Sequence, residues 1–432
     1  MLYFSTNNKA PLVNFKDATI NGQAPDKGLY FPKNIPVLSP GFIKNIADYS
    51  DVAIAYEIIK PYVGDKIHAG MLKKIVEETI NFPIPLVPIN DTISSLELYH
   101  GPTLAFKDVG ARFMSRCLGF FVKNQPKKVT VLVATSGDTG GAVANGFYDV
   151  PNVEVIILYP SGKVSTVQEK QLTTLGKNIH ALEVNGSFDD CQQMVKDIFA
   201  RAADFTNLFL TSANSINVAR WLPQQFYYFF AYKQWADKNN PPVIAVPSGN
   251  FGNICAGILA HASGLPIKHF IAACNANDVV PNFFETDIYE PKKAVATISN
   301  AMDVGNPSNF VRILEIFNQQ TGDLKKLVSA KSVSDDETRA TLKKVKDEFN
   351  YLLDPHGAVG YNALEKYLQQ HPSQKGIVVE TAHPVKFFDV VEPIIGSPVA
   401  IPQIIQDQLK LKKQSELMEN NPEALRDFLM KL

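Results

Sequence analysis

The sequence predicts an α/β protein built on doubly wound parallel sheets. Three features carry that prediction: short β-branched runs alternate with helical stretches, glycine and small polar residues follow several of the runs, and small-faced helices open directly after those turns. At 432 residues the chain is too long for one small core and divides into two or three domains. The expected division is a mainly helical accessory segment over residues 1–85, an α/β region of two subdomains with a site between them over 86–400, and a helical tail over 401–432.

The elements follow in order. An irregular opening ends in Gly28-Leu-Tyr-Phe-Pro32, and apolar spacing then predicts helices over 52–62 and 68–80. Val109, Phe113, Cys117 and Phe121 recur on one face of the next helix. Strands are predicted over 129–134, 153–159, 179–184, 243–246, 269–273 and 377–379, which implies a parallel sheet. Between two of them, Ser187-Phe-Asp-Asp190 reads as the cap of a helix running to residue 203. Residues 335–353 and those beyond Gln403 are charged and helical in pattern.

Composition bounds the function. Hydrophobic residues make up 45% and charged residues 20%, as in globular proteins. With 42 basic against 43 acidic residues, no global field exists to hold nucleic acid or an anionic membrane, so an anionic ligand must be caught locally. Cys117, Cys191, Cys255 and Cys274 lie far apart and suit a reducing compartment rather than a disulfide framework. No metal-ligand cluster, signal peptide or membrane anchor is read, and the expected location is cytoplasmic.

Five segments carry candidate chemistry. In Gly101-Pro-Thr-Leu-Ala-Phe-Lys-Asp108, Lys107 stands just before a helix, where desolvation and the positive end of the backbone dipole favour its neutral, nucleophilic form. Such an amine condenses with carbonyl groups. The turn Pro247-Ser-Gly-Asn-Phe-Gly-Asn253 joins a strand to a helix, so its amides converge on one anion, with Gly249 and Gly252 clearing the approach and Ser248, Asn250 and Asn253 adding donors. It lacks a Walker lysine and the dinucleotide spacing. Thr135-Ser-Gly-Asp-Thr-Gly-Gly141 repeats the geometry, with Ser136 and Thr139 able to grip a carboxylate. A third patch, Ser212-Ala-Asn-Ser-Ile-Asn217 with Arg220, suits a phosphate carried by a substrate. Glu380-Thr-Ala-His-Pro384 brings Thr381 to the same strand edge, while His383, His100 and His356 read as loop histidines with backbone partners.

In this order the motifs resemble pyridoxal-phosphate enzymes of the tryptophan-synthase β fold, and more narrowly the threonine synthase family. The resemblance runs from Gly28-Leu-Tyr-Phe-Pro32 through Leu98-Tyr-His-Gly-Pro-Thr-Leu-Ala-Phe-Lys-Asp108 and Asn300-Ala-Met-Asp-Val304 to the C-terminal third. It implies a fold type II enzyme binding pyridoxal 5'-phosphate, with Lys107 as the cofactor-bearing lysine. Ser248, Gly249, Asn250, Phe251, Gly252 and Asn253 would hold the cofactor phosphate, Thr381 would meet the pyridine nitrogen, and Asp138 would lie at the ring. Ser136, Gly137, Thr139 and Gly140 would receive the substrate carboxylate, with Asn214, Ser215 and Arg220 on the substrate phosphate. The chain departs from the pattern at Asp138, where many relatives carry Asn, and at Asp26-Lys-Gly28, where two glycines are usual.

The implied reaction is that of a carbon-oxygen lyase converting O-phospho-L-homoserine and water to L-threonine and phosphate, by a monomer or homodimer. A threonine dehydratase or a cysteine synthase of the same fold is the alternative, and a noncatalytic cofactor-binding relative is a third reading.

Overall fold

The computed structural model describes residues 1–432. Two sheets organise it. In the smaller, the strands run in the order Glu416–Glu419, Ile179–Asn185, Val153–Pro160, Lys128–Ala134, Leu208–Ser212, all parallel. In the larger, Val328–Ser332, His269–Cys274, Val243–Pro247, Gly376–Glu380 and Ile93–Glu97 are parallel, and Leu86–Pro88 closes the edge antiparallel. All six predicted strands form, each extended by one or two residues at its ends. Their nearly continuous apolar runs are buried, as expected where helices cover a parallel sheet on both faces.

The helices follow their caps. Ser187 and Asp190 form the reciprocal capping box that opens Phe188–Ala200. Ser50 caps Asp51–Val63 and His68 caps Ala69–Thr79, the two helices expected near the N-terminus.

Two expectations need correction. The N-terminal segment is mainly helical as expected, but its opening is not irregular, because Val13–Asn14, Leu2–Ser5 and Tyr30–Pro32 form a three-stranded antiparallel sheet. The segment packs into the body of the protein: Tyr3, Phe15 and Phe31 share one continuous apolar core with both large sheets, and the Phe31 ring lies 5.8 Å from that of Trp221. The tail is not wholly helical either, since Glu416–Glu419 adds the edge strand of the smaller sheet. No helix is long and apolar enough to cross a membrane.

Candidate active site

Lys107 is the first residue of the helix Lys107–Val122 rather than the residue before it. The loop leading to it is pinned to the chain beyond Gly376–Glu380. Leu98 N–H donates to Glu380 O at 3.0 Å, Phe106 N–H to Thr381 O at 2.9 Å and His383 N–H to Leu104 O at 3.1 Å, with Ala105 and Ala382 bridged antiparallel. The Tyr227 hydroxyl also donates to Phe106 O. These bonds hold Lys107 beside the carboxyl edge of the larger sheet, where ligands of doubly wound folds sit. Its Nζ lies 5.7 Å from the centre of the Phe106 ring. Part of the side chain meets solvent, yet burial lowers the amine from 10.5 to about 8, against the Asp138 carboxylate and with the help of the Lys386 and Arg220 charges. A usable fraction of the amine is therefore neutral near neutral pH.

The turn after Val243–Pro247 is built to receive an anion. None of the amides from Gly249 to Asn253 donates to another group of the chain. Phe251 adopts a left-handed conformation, φ 59° and ψ 13°, at the start of Gly252–Ala262. A β-branch-free but side-chain-bearing residue held there stores strain of roughly 1 kcal/mol, a feature that clusters at ligand-binding turns. The Asn253 Nδ2 group is buried without a partner while its Oδ1 accepts from the Tyr228 hydroxyl at 2.7 Å. Gly249 is required sterically, because a Cβ there would fall 2.7 Å from Met302 Cα. The Asn250 Oδ1 accepts from Ser308 N–H and Oγ at 3.1 and 2.9 Å, which fixes the side chain and leaves its Nδ2 without a partner in the chain. One expectation changes: the Ser248 hydroxyl donates to Val246 O at 2.8 Å.

The second turn offers fewer amides than expected, because Gly137 and Gly140 N–H donate to the Thr135 hydroxyl at 3.0 and 2.8 Å. The Ser136 and Thr139 hydroxyls stay free and half-buried. Asp138, expected at the cofactor ring, is held by two protein donors. Lys386 Nζ lies 2.7 Å from Asp138 Oδ1, both side chains being buried, and Gln168 Nε2 donates to the same oxygen at 2.9 Å. Burial opposes its ionisation, but the Lys386 and Lys107 charges outweigh that effect and hold the carboxyl well below its ordinary range.

The third patch closes the site. Arg220 is buried, donates from Nη1 to Ala213 O, and leaves Nε without a partner. Gly110, three residues beyond Lys107, lets it approach: a Cβ there would fall 2.5 Å from Arg220 O. Ser215 Oγ accepts from Asn309 Nδ2 at 3.1 Å, and Asn214 Oδ1 is buried without a partner. Burial lowers Arg220 to about 10, so it stays charged at neutral pH.

At the sheet edge Thr381 is buried and its hydroxyl is bonded to no other residue. His383 Nδ1 accepts from Val385 N–H, the backbone partner expected of it, whereas His356 lies in the helix Pro355–Gln370 rather than a loop and bonds the Asp354 carboxylate at 2.5 Å as well as Ala301 N–H at 3.1 Å. Sequence reasoning missed Lys386, Gln168, Asn309 and Arg312, which no local motif marks. A second buried acid, Glu380, precedes Thr381; burial and the Asp354 carboxylate push its carboxyl well above the ordinary range, and Asp354 N–H donates to its Oε1 at 2.5 Å.

A partly desolvated lysine between two strand-to-helix turns with free amides, all at the carboxyl edges of parallel strands, defines an enzyme of the pyridoxal-phosphate class. In agreement, residues 89–381 match the family model described as pyridoxal-phosphate dependent enzyme. Residues 2–80 match the model of the threonine synthase N terminus and residues 357–429 that of the threonine synthase C-terminal region. The chain belongs to the threonine synthase family. It is 43% identical over 421 residues to the threonine synthase of Serratia marcescens, covering 97% of each chain. Among solved structures it resembles threonine synthase from Escherichia coli, with a TM-score of 0.93, 40% identity and full coverage of both chains. It also resembles PLP-bound threonine synthase from Brucella melitensis, with a TM-score of 0.93, 34% identity and coverage of 100% and 99%.

Proposed function

We propose that this protein converts O-phospho-L-homoserine and water to L-threonine and phosphate, using pyridoxal 5'-phosphate, in the cytoplasm. The observation that carries the substrate is Arg220. A buried guanidinium with an unpartnered Nε, beside a polar loop separate from the Gly249 turn, supports a second anion besides the cofactor phosphate.

The free amides of Gly249 to Asn253 and the unpartnered Asn253 Nδ2 fit the cofactor phosphate, and Thr381 has a free hydroxyl for the ring nitrogen. When bound, the cofactor supplies a covalent handle for the substrate amine and an electron sink for its carbons. The Ser136 and Thr139 hydroxyls, with the free Asp138 amide between them, orient the substrate carboxylate. Lys107 Nζ takes the proton from the substrate Cα and returns one there at the end of turnover, work suited to an amine held at about 8. Arg220 and the Ser215 hydroxyl hold the γ-phosphate as its carbon–oxygen bond breaks, where the leaving group gathers charge.

Phosphate release from O-phospho-L-homoserine, coupled to chiral analysis of the product, tests this reading. L-threonine equimolar with phosphate is expected; a 2-oxo acid, or no phosphate, refutes it.

A further inference from the structure

The two anion cradles are not independent in this fold. Asn309, at the start of the helix Phe310–Ile316, touches both. Its Nδ2 donates to Ser215 Oγ at 3.1 Å and to Asn250 O at 3.0 Å, and its own amide donates to Asn250 O at 3.2 Å. Ser308 adds two bonds to Asn250 Oδ1. The contact is close: a Cβ on Gly252, in the cofactor turn, would lie 3.4 Å from Asn309 Nδ2 and 3.6 Å from Ser215 Cβ.

Arg312 fixes Asn309 in turn. Its Nη1 donates to Asn309 Oδ1 at 2.8 Å and to Ser215 O at 3.2 Å, and its Nη2 to Ile216 O at 2.6 Å and Tyr30 O at 3.0 Å. The guanidinium is fully buried, meets only neutral acceptors and lies 4.5 Å from the centre of the Trp221 ring. With Oδ1 committed to Arg312, the Asn309 amide has one orientation, and both of its protons point at the two loops.

We infer that Asn309, oriented by Arg312, is a positioning residue that couples the substrate-phosphate patch at Ser215 to the cofactor-phosphate turn at Asn250, so that a change in one cradle is felt in the other. The inference rests on the proposed assignment of those two loops. Neither Asn309 nor Arg312 reaches the reacting atoms; they act through Ser215 and Asn250. Coupling of this kind is reciprocal.

The test is a crossed measurement on the full chain. Pyridoxal 5'-phosphate affinity is read by absorbance titration of cofactor-free protein, and KM for O-phospho-L-homoserine is read on the loaded enzyme. Asn309→Ala raises both by roughly three- to tenfold, the range expected of one or two lost hydrogen bonds. Ser215→Ala, although it alters only the substrate patch, weakens cofactor binding about threefold, and Ser308→Ala, on the cofactor side, raises KM. In the double variant S215A/N309A the cofactor effect is less than the product of the two single effects. Cofactor affinity unchanged in S215A, or effects that simply multiply, overturns the coupling, and S215A and S308A keep this decision available if N309A fails to fold. If the loop assignment were wrong instead, wild-type protein would release no phosphate from O-phospho-L-homoserine, whatever the variants did to cofactor affinity.

Discussion

The amine that makes Lys107 useful should make the folded protein less stable, and Lys107→Met measures by how much. Burial lowers this lysine from 10.5 to about 8. The unfolded chain therefore holds the proton more tightly than the folded one. Below about 8 the penalty is present in full; as pH rises toward 10.5 both states lose the proton and it fades. A displacement of this size corresponds to at most about 3 kcal/mol. Because part of the side chain meets solvent in the cleft, we take about 2 kcal/mol as the expected value. Methionine fills a similar volume without a charge. In urea unfolding of cofactor-free protein, K107M should be more stable than the parent by about 2 kcal/mol near neutral pH, with the gap closing above about pH 10. A variant of equal or lower stability, or a gap indifferent to pH, would refute the claim that desolvation tunes this amine.

Arg220→Ala should lower kcat/KM for O-phospho-L-homoserine by about a hundredfold or more through lost charge-assisted contacts, while changing cofactor affinity less than about threefold; equal losses in both would count against a substrate-phosphate role. Lys386→Met leaves the buried Asp138 carboxylate without its closest cation and should destabilise the protein by about 3–5 kcal/mol, most of it recovered in the double variant D138N/K386M, as urea midpoints would show. Gly249→Ala forces a Cβ to within 2.7 Å of Met302 Cα and should weaken cofactor binding by roughly tenfold in the same absorbance titration, at a cost of about 1–3 kcal/mol in stability as the turn or the Met302 backbone shifts.

What could be read from the sequence was whatever local chemistry decides. The Ser187 and Asp190 cap, the strand-to-helix turns and the lysine at a helix start are set by neighbours within a few residues, so their pattern is visible before folding. The strand Ile93–Glu97 was missed because Ser94 and Ser95 interrupt its apolar run, although Ser95 is fully buried. Glu416–Glu419 was missed because a short polar edge strand has no pattern until its partner Ile179–Asn185 is in place. Lys386, the ion-pair partner of Asp138, lies 248 positions away, and nothing near either residue announces the pair. The Ser308 bonds that fix Asn250 were hidden in the same manner, since Ser308 reaches it only through the tertiary fold.

The cations of the site divide by what they face. Lys386 is neutralised by Asp138, and its remaining reach goes to Thr103 O at 2.9 Å. Lys107, Arg220 and Arg312 form no ion pair with a carboxylate; Arg220 and Arg312 bond only neutral oxygens. A carboxylate beside Lys107 or Arg220 would steady the free protein, yet it would compete with the incoming phosphates and carboxylate for the same charge. Leaving them unpaired lowers the stability of the free protein and raises the electrostatic gain on binding. The same arrangement that makes K107M a stabilising substitution makes anion binding favourable, so ligand-induced stabilisation by O-phospho-L-homoserine should be smaller in R220A than in the parent protein.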